Sequence, residues 1–195
     1  MFAVFKTSRN HLNRLRQDKR GVSAIEFALV LPVLLLVYFG IVGVTQLLSV
    51  DRKVTMITSA TADLVAQETV IDNAMIQDIY TASLSIIEPF NSNSVSIVVT
   101  SIVADDDNNT TVAWSHTSNG TAKTPGATIT VPNGITQANT SVIFTEVAYS
   151  YNSIIGQLIS GVLPTNSFGQ MMSGTITLTD KFYTRPRNSS EVEFN

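Results

Sequence analysis

No residue between Phe27 and Val50 is charged, and the centre of that run, Ala28 to Val44, is almost wholly apolar. At about 1.5 Å per residue, a helix of this length reaches across a hydrocarbon core of roughly 30 Å. A helix buried in a soluble domain would need apolar partners on every side, and the rest of the chain is too polar to supply them. Beyond the run, Val54, Ile57, Leu64 and Val65 recur at roughly helical spacing, with no Gly or Pro from position 44 to 88. The pattern therefore predicts one long helix that leaves the membrane and ends near Gln67–Thr69. Asp72 is placed to cap a second helix over Asn73–Ile87. Its apolar positions Met75, Ile76, Ile79, Tyr80, Leu84 and Ile87 share a face. Glu88-Pro89 stops it, because proline disfavours the helical region for its predecessor.

The pattern then changes to period two, in a stretch rich in Ser, Thr, Asn and Val. Strands are predicted at Ser94–Ala104, Thr111–Thr117, Ser141–Tyr151 and Gly174–Tyr183. Asp105-Asp-Asp-Asn-Asn109 makes a polar turn between the first two. Residues 118–140 hold Gly120, Pro125, Gly126, Pro132 and Gly134 and read as a loop, with a short strand at Thr128–Val131. Ile154–Leu163 reads as a short apolar helix or a core-inserting loop. A polar tail follows Thr184-Arg-Pro-Arg187. Helices first and consecutive strands afterwards predict an α+β fold, with a small antiparallel sheet against the helix.

Charge sharpens this picture. Residues 1–21 carry six cations (Lys6, Arg9, Arg14, Arg16, Lys19, Arg20) and one acid (Asp18), a net of +5, which leaves −8 for the rest. Positive charge stays cytoplasmic, so Lys19 and Arg20 predict an N-terminus inside and residues after about 50 outside. A secretory signal peptide would have a shorter apolar region and a small-residue cleavage site. Glu26 does not suit a plain anchor, since a carboxylate near the centre of a membrane helix costs about 2.5–3.5 kcal/mol, and less near the interface. A cut after Gly21 would give Val22 a cationic α-amine. That amine, on the same chain or a staggered neighbour, would pair with Glu26 and set a subunit register. Pro32 removes one backbone donor and can kink the helix.

The run Lys19-Arg-Gly-Val-Ser-Ala-Ile-Glu-Phe27 resembles the class III signal of type IV pilin-like proteins. The fuller run Arg20-Gly-Val-Ser-Ala-Ile-Glu-Phe-Ala-Leu-Val-Leu-Pro-Val-Leu35 is similar to TadE-like pseudopilins of the Tad (Flp) pilus system. The resemblance implies a pilin-like fold and a leader, 1–21, removed between Gly21 and Val22 by a prepilin peptidase. It implies that Glu26 and Phe27 serve subunit assembly. The implied partners are the peptidase, other pilin or pseudopilin subunits, an inner-membrane assembly platform and the lipid bilayer, with no nucleic acid. The implied place is the inner membrane, with the C-terminal domain periplasmic or incorporated in an extracellular pilus. The expected parts are the leader (1–21), a transmembrane helix (22–50), a periplasmic helical region (51–88) and a β-sheet domain (89–195).

The residues offer little for other chemistry. There is no cysteine, which excludes disulfides and thiolate metal sites. His11 and His116 are the only histidines, they are expected on opposite sides of the membrane, and no Gly-x-Ser-x-Gly elbow presents a serine. No enzyme activity, cofactor or metal site is expected. Asp105–Asn109 lacks the spacing of an EF-hand loop and reads as a solvated turn. Gly40 and Gly43 are not spaced as a Gly-x-x-x-Gly dimer motif. The competing reading is a single-pass envelope protein whose external β-rich domain is a binding module.

Overall fold

The computed structural model describes residues 21–152 and 175–195. Residues 1–20 of the expected leader, with Lys19 and Arg20, and the segment Ile154–Leu163 lie outside the described residues. The chain divides into two compact units, Met1–Val44 and Thr45–Asn195.

Helix α1 (Val22–Gln67) contributes to both units. In the first unit its large apolar side chains are exposed, among them Ile25, Leu29, Val33 and Leu36. In the second unit it buries one stripe: Val50, Val54, Ile57, Thr58, Thr61, Ala62, Val65 and Ala66. Steps of three and four residues keep these positions on one side of a 3.6-residue turn. Thr58 donates its hydroxyl to the Val54 carbonyl (2.8 Å), so this polar group enters the stripe satisfied.

Helix α2 (Asn73–Leu84) starts where its sequence signal lies. The Asp72 carboxylate accepts from the Met75 amide at 2.8 Å, taking one of the donors that a helix start leaves free. A 3₁₀ turn, Ser85–Ile87, completes the expected span. Ile76, Tyr80 and Ile87 are buried, Ile79 and Leu84 are half-buried, and Met75 stays exposed. Lys53 of α1 donates to the carbonyls of Ile86 and Glu88, each at 2.8 Å. A cation thus sits where the last carbonyls of a helix point.

The two shortest strands pair in parallel: β1 (Val70–Ile71) with the chain's last strand, Glu193–Phe194. Between them in sequence come β2 (Val95–Ala104), β3 (Thr110–Thr117), β4 (Ser141–Asn152) and β5 (Thr175–Thr184), which form an antiparallel sheet in the order β3-β2-β4-β5. Glu193–Phe194 is therefore β6. Pairing Val95 with Tyr149 and Ile97 with Val147 puts these residues on one sheet face. That face joins Val54 and Ile57 of α1 and Ile76 and Tyr80 of α2 in the main core. Ile102, Val142 and Phe144 are also buried, and Ile102 and Val142 stand opposite one another. Part of loop 118–140 lies here, with the Lys123 ammonium 5.4 Å from the Phe144 ring centre and ion-paired with Glu146. Burial raises the Glu146 carboxyl pKa, but Lys123 and Lys181 outweigh it, and the net shift is downward.

The short strand expected at Thr128–Val131 is reduced to a single bridge, Thr111 to Thr128. The chain enters it from a tight turn in which the Ala127 amide donates to the Thr124 carbonyl (3.1 Å). Pro125 and Gly126 occupy the turn centre, and Gly126 has φ +80°, as the third position of a type II turn requires. Pro132 then lacks the amide that a continuing ladder would use.

The tail that reads as polar is a strap with defined partners. The Arg187 amide donates to Ala66 O (2.8 Å) and the Asn188 side chain to Gln67 O (2.6 Å), satisfying carbonyls at the end of α1. The Arg187 guanidinium also pairs with Asp63. Val192 is buried, and its carbonyl accepts from Trp114 Nε1 at 2.7 Å. Replacing Trp114 with Phe keeps most of the ring but orphans that buried carbonyl. A loss of about 1–3 kcal/mol is expected, read as a lower urea midpoint with an unchanged slope.

Candidate processing and assembly segment

Gly21 immediately precedes α1, and Val22 is its first residue. Gly21 is exposed, and a Cβ placed on it would meet no atom within 4 Å. A side chain at this position is therefore compatible with the fold. Val22 and Phe27 are exposed too (48% and 60%), as is Glu26. Glu26 follows Val22 by four residues on a continuous helix, which places both on one side about 5–6 Å apart at Cβ. An amine on Val22 and the Glu26 carboxylate are thus within side-chain reach on one chain, and both face outward for a neighbour. Pro32 lies inside α1, which continues through it. Its ring removes one amide from the ladder at a site where the surrounding side chains are uncovered.

The two remaining notable side chains are structural in their contacts. Trp114 is buried in the core, where it packs on Phe194 with ring centres 5.2 Å apart. His116 Nδ1 lies 3.3 Å from the Tyr80 hydroxyl, and its ring stacks on Phe194 at 5.7 Å. Burial pushes the His116 pKa down and the Tyr80 pKa up. In the acidic turn, Asp105 accepts from the Asp107 and Asn109 amides (3.0 and 2.7 Å) and from the Asn109 side chain (2.9 Å). The Asn109 side-chain bond, with help from the amides, lowers the Asp105 pKa. Its oxygens therefore organise the turn. Among the described residues no three His, Asp or Glu side chains are placed to share a metal ion.

α1 is long and apolar enough to cross a membrane, and its most apolar stretch has no buried residue. The class so defined is a chain with an N-terminal apolar helix of membrane-spanning length that leads into an α+β domain. Within that class, the family described as TadE-like protein matches residues 21–63. The resemblance read from Arg20 to Leu35 is thus matched from Gly21 onward, over most of α1. The match starts at Gly21, after Lys19 and Arg20, and stops before the sheet. No curated protein and no solved structure matches the chain.

Proposed function

We propose that this chain is a minor pseudopilin that takes part in the assembly or structure of a Tad/Flp-type pilus. The observation that carries the reading is the TadE-like match beginning at Gly21, on an uncovered apolar helix. In this account the leader holds the N-terminus in the cytoplasm, and prepilin peptidase cuts between Gly21 and Val22. The helix remains in the inner membrane with the sheet domain in the periplasm. It then enters a helical subassembly in which Glu26 neutralises a neighbour's Val22 amine. Phe27 and the following apolar residues pack against other subunits. The chain's task is structural, and it catalyses nothing itself.

The pairing explains why a carboxylate is kept at the start of an apolar helix. Left alone there it costs free energy. Bonds to a charged partner recover about 1.5–3 kcal/mol per contact. Glu26→Gln should therefore leave membrane insertion intact and reduce surface pili about tenfold or more, since each 1.4 kcal/mol is about a factor of ten. Immunoblots of the membrane fraction and counts of sheared pili separate the two effects. Normal piliation by this variant would remove the role given to Glu26.

A further inference from the structure

We propose that the cleft between the β2–β3 turn and the loop over residues 128–136 is a binding site for a neutral saccharide. The cleft measures about 290 Å³. That is just under the roughly 300–1,000 Å³ usual for drug-sized ligands, and it suits a small sugar unit. Its walls are tied together by hydrogen bonds. The Ile129 amide donates to Thr110 O (3.1 Å), and the Thr110 hydroxyl donates back to Ile129 O. The Ile135 amide donates to Pro132 O (3.3 Å), and the Arg185 guanidinium donates to Ile135 O at 3.2 Å. Gly134 turns the chain at φ +88°. The shape therefore exists before a ligand arrives, which lowers the ordering cost of binding.

The lining selects the class of ligand. Asn108, Asn133, Thr128, Thr130 and Thr136 line the cleft, and their side-chain polar atoms have no hydrogen-bond partner among the described residues. An amide presents a donor beside an acceptor, and a hydroxyl is both. Adjacent ring hydroxyls of a sugar carry the same pairing and are matched by such groups. Ile129, Val131 and Pro132 supply the aliphatic part of the lining, against which the C–H face of a sugar ring can pack. No described lining residue is charged. The charged neighbours are Asp105, Asp106, Asp107 and Arg185. Asp105 uses its oxygens to hold the turn, Arg185 is engaged with Ile135, and Asp106 and Asp107 are exposed. This surplus of negative charge disfavours an anion, and a cation would find no ion pair in the lining. The site belongs to the sheet domain alone and is independent of pilus assembly.

The full-length chain, isotope-labelled for amide NMR, is titrated in lauryldimethylamine oxide micelles, whose headgroups contain no sugar. The probes are cellotriose, mannotriose, chitotriose and the anionic trigalacturonate. The expected result is a saturable shift of the Asn108 and Asn133 side-chain amides at millimolar sugar for at least one neutral probe, with trigalacturonate weaker. A response to chitotriose alone supports the site and assigns it the N-acetylglucosamine chemistry of cell-wall glycan. A response to cellotriose or mannotriose, with or without chitotriose, supports the site and assigns it a polysaccharide outside the cell. Asn133→Ala and Asn108→Gly should leave the rest of the spectrum unchanged and weaken binding several-fold. Glycine accepts the φ of +60° at position 108, so that variant keeps the turn. No saturable shift with any neutral probe overturns the proposal. So does a stronger response to trigalacturonate, or undiminished binding by both variants.

Discussion

Gly21→Leu yields a folded chain that keeps its leader and supports almost no pilus assembly. The fold half of this expectation follows from geometry. The space around Gly21 is open and its side chain would meet nothing, so the packing of the rest is unaffected. The processing half follows from access. A scissile bond after glycine lets a protease approach the backbone closely, and a branched side chain of four carbons at that site blocks the approach. Without the cut there is no Val22 amine, and the Glu26 carboxylate has no partner. One substitution thus removes both the new terminus and the contact that depends on it. Immunoblots of cells expressing the peptidase check the first effect as a slower-migrating band. Normal processing of Gly21→Leu would contradict the assigned cleavage site.

Ile57→Ala destabilises the sheet domain by about 2–5 kcal/mol, out of a total stability of about 5–15 kcal/mol for a typical domain. Ile57 has no exposed surface and lies in the α1 stripe that meets the sheet. Removing three carbons there loses their transfer free energy and leaves a cavity. The β-branched and aromatic neighbours in this core are held in a ladder and cannot collapse freely. Leu36→Ala is the matched control: it removes as much apolar volume from the same helix at a position 52% exposed. In detergent that change should stay within about 0.5 kcal/mol. Urea unfolding followed by Trp114 fluorescence distinguishes the two. Equal midpoints would mean that α1 does not pack as a core helix of the domain.

Much of the fold is legible in the sequence because its signals are local. The stripe through Val54, Ile57 and Val65 and the absence of Gly and Pro carry α1 to its end at Gln67. Asp72 marks the start of α2, and Pro89 marks a boundary. Alternation alone places β2 and β4 to within a residue. What escapes is long-range. β1 and β6 have two residues each and pair across more than a hundred positions, with no periodicity to reveal them. Trp114 and Val192 are bonded across 78 positions, and Lys53 caps a helix end 33 residues away. The polar composition of the tail hides its docking, since Asn188, Ser190 and Val192 make their contacts through backbone carbonyls or a side-chain amide. The candidate site is the opposite case. Gly21, Val22, Glu26 and Phe27 stand within seven residues, and their meaning depends on order and charge along the chain, with no tertiary partner required.

The central claim is that the working protein begins at Val22. The direct measurement is the intact mass and N-terminal sequence of the chain recovered from membranes and sheared pili of cells that contain the peptidase. The account predicts an N-terminus that reads Val22-Ser-Ala-Ile-Glu26. A chain that still starts at Met1 while pili assemble normally would contradict it.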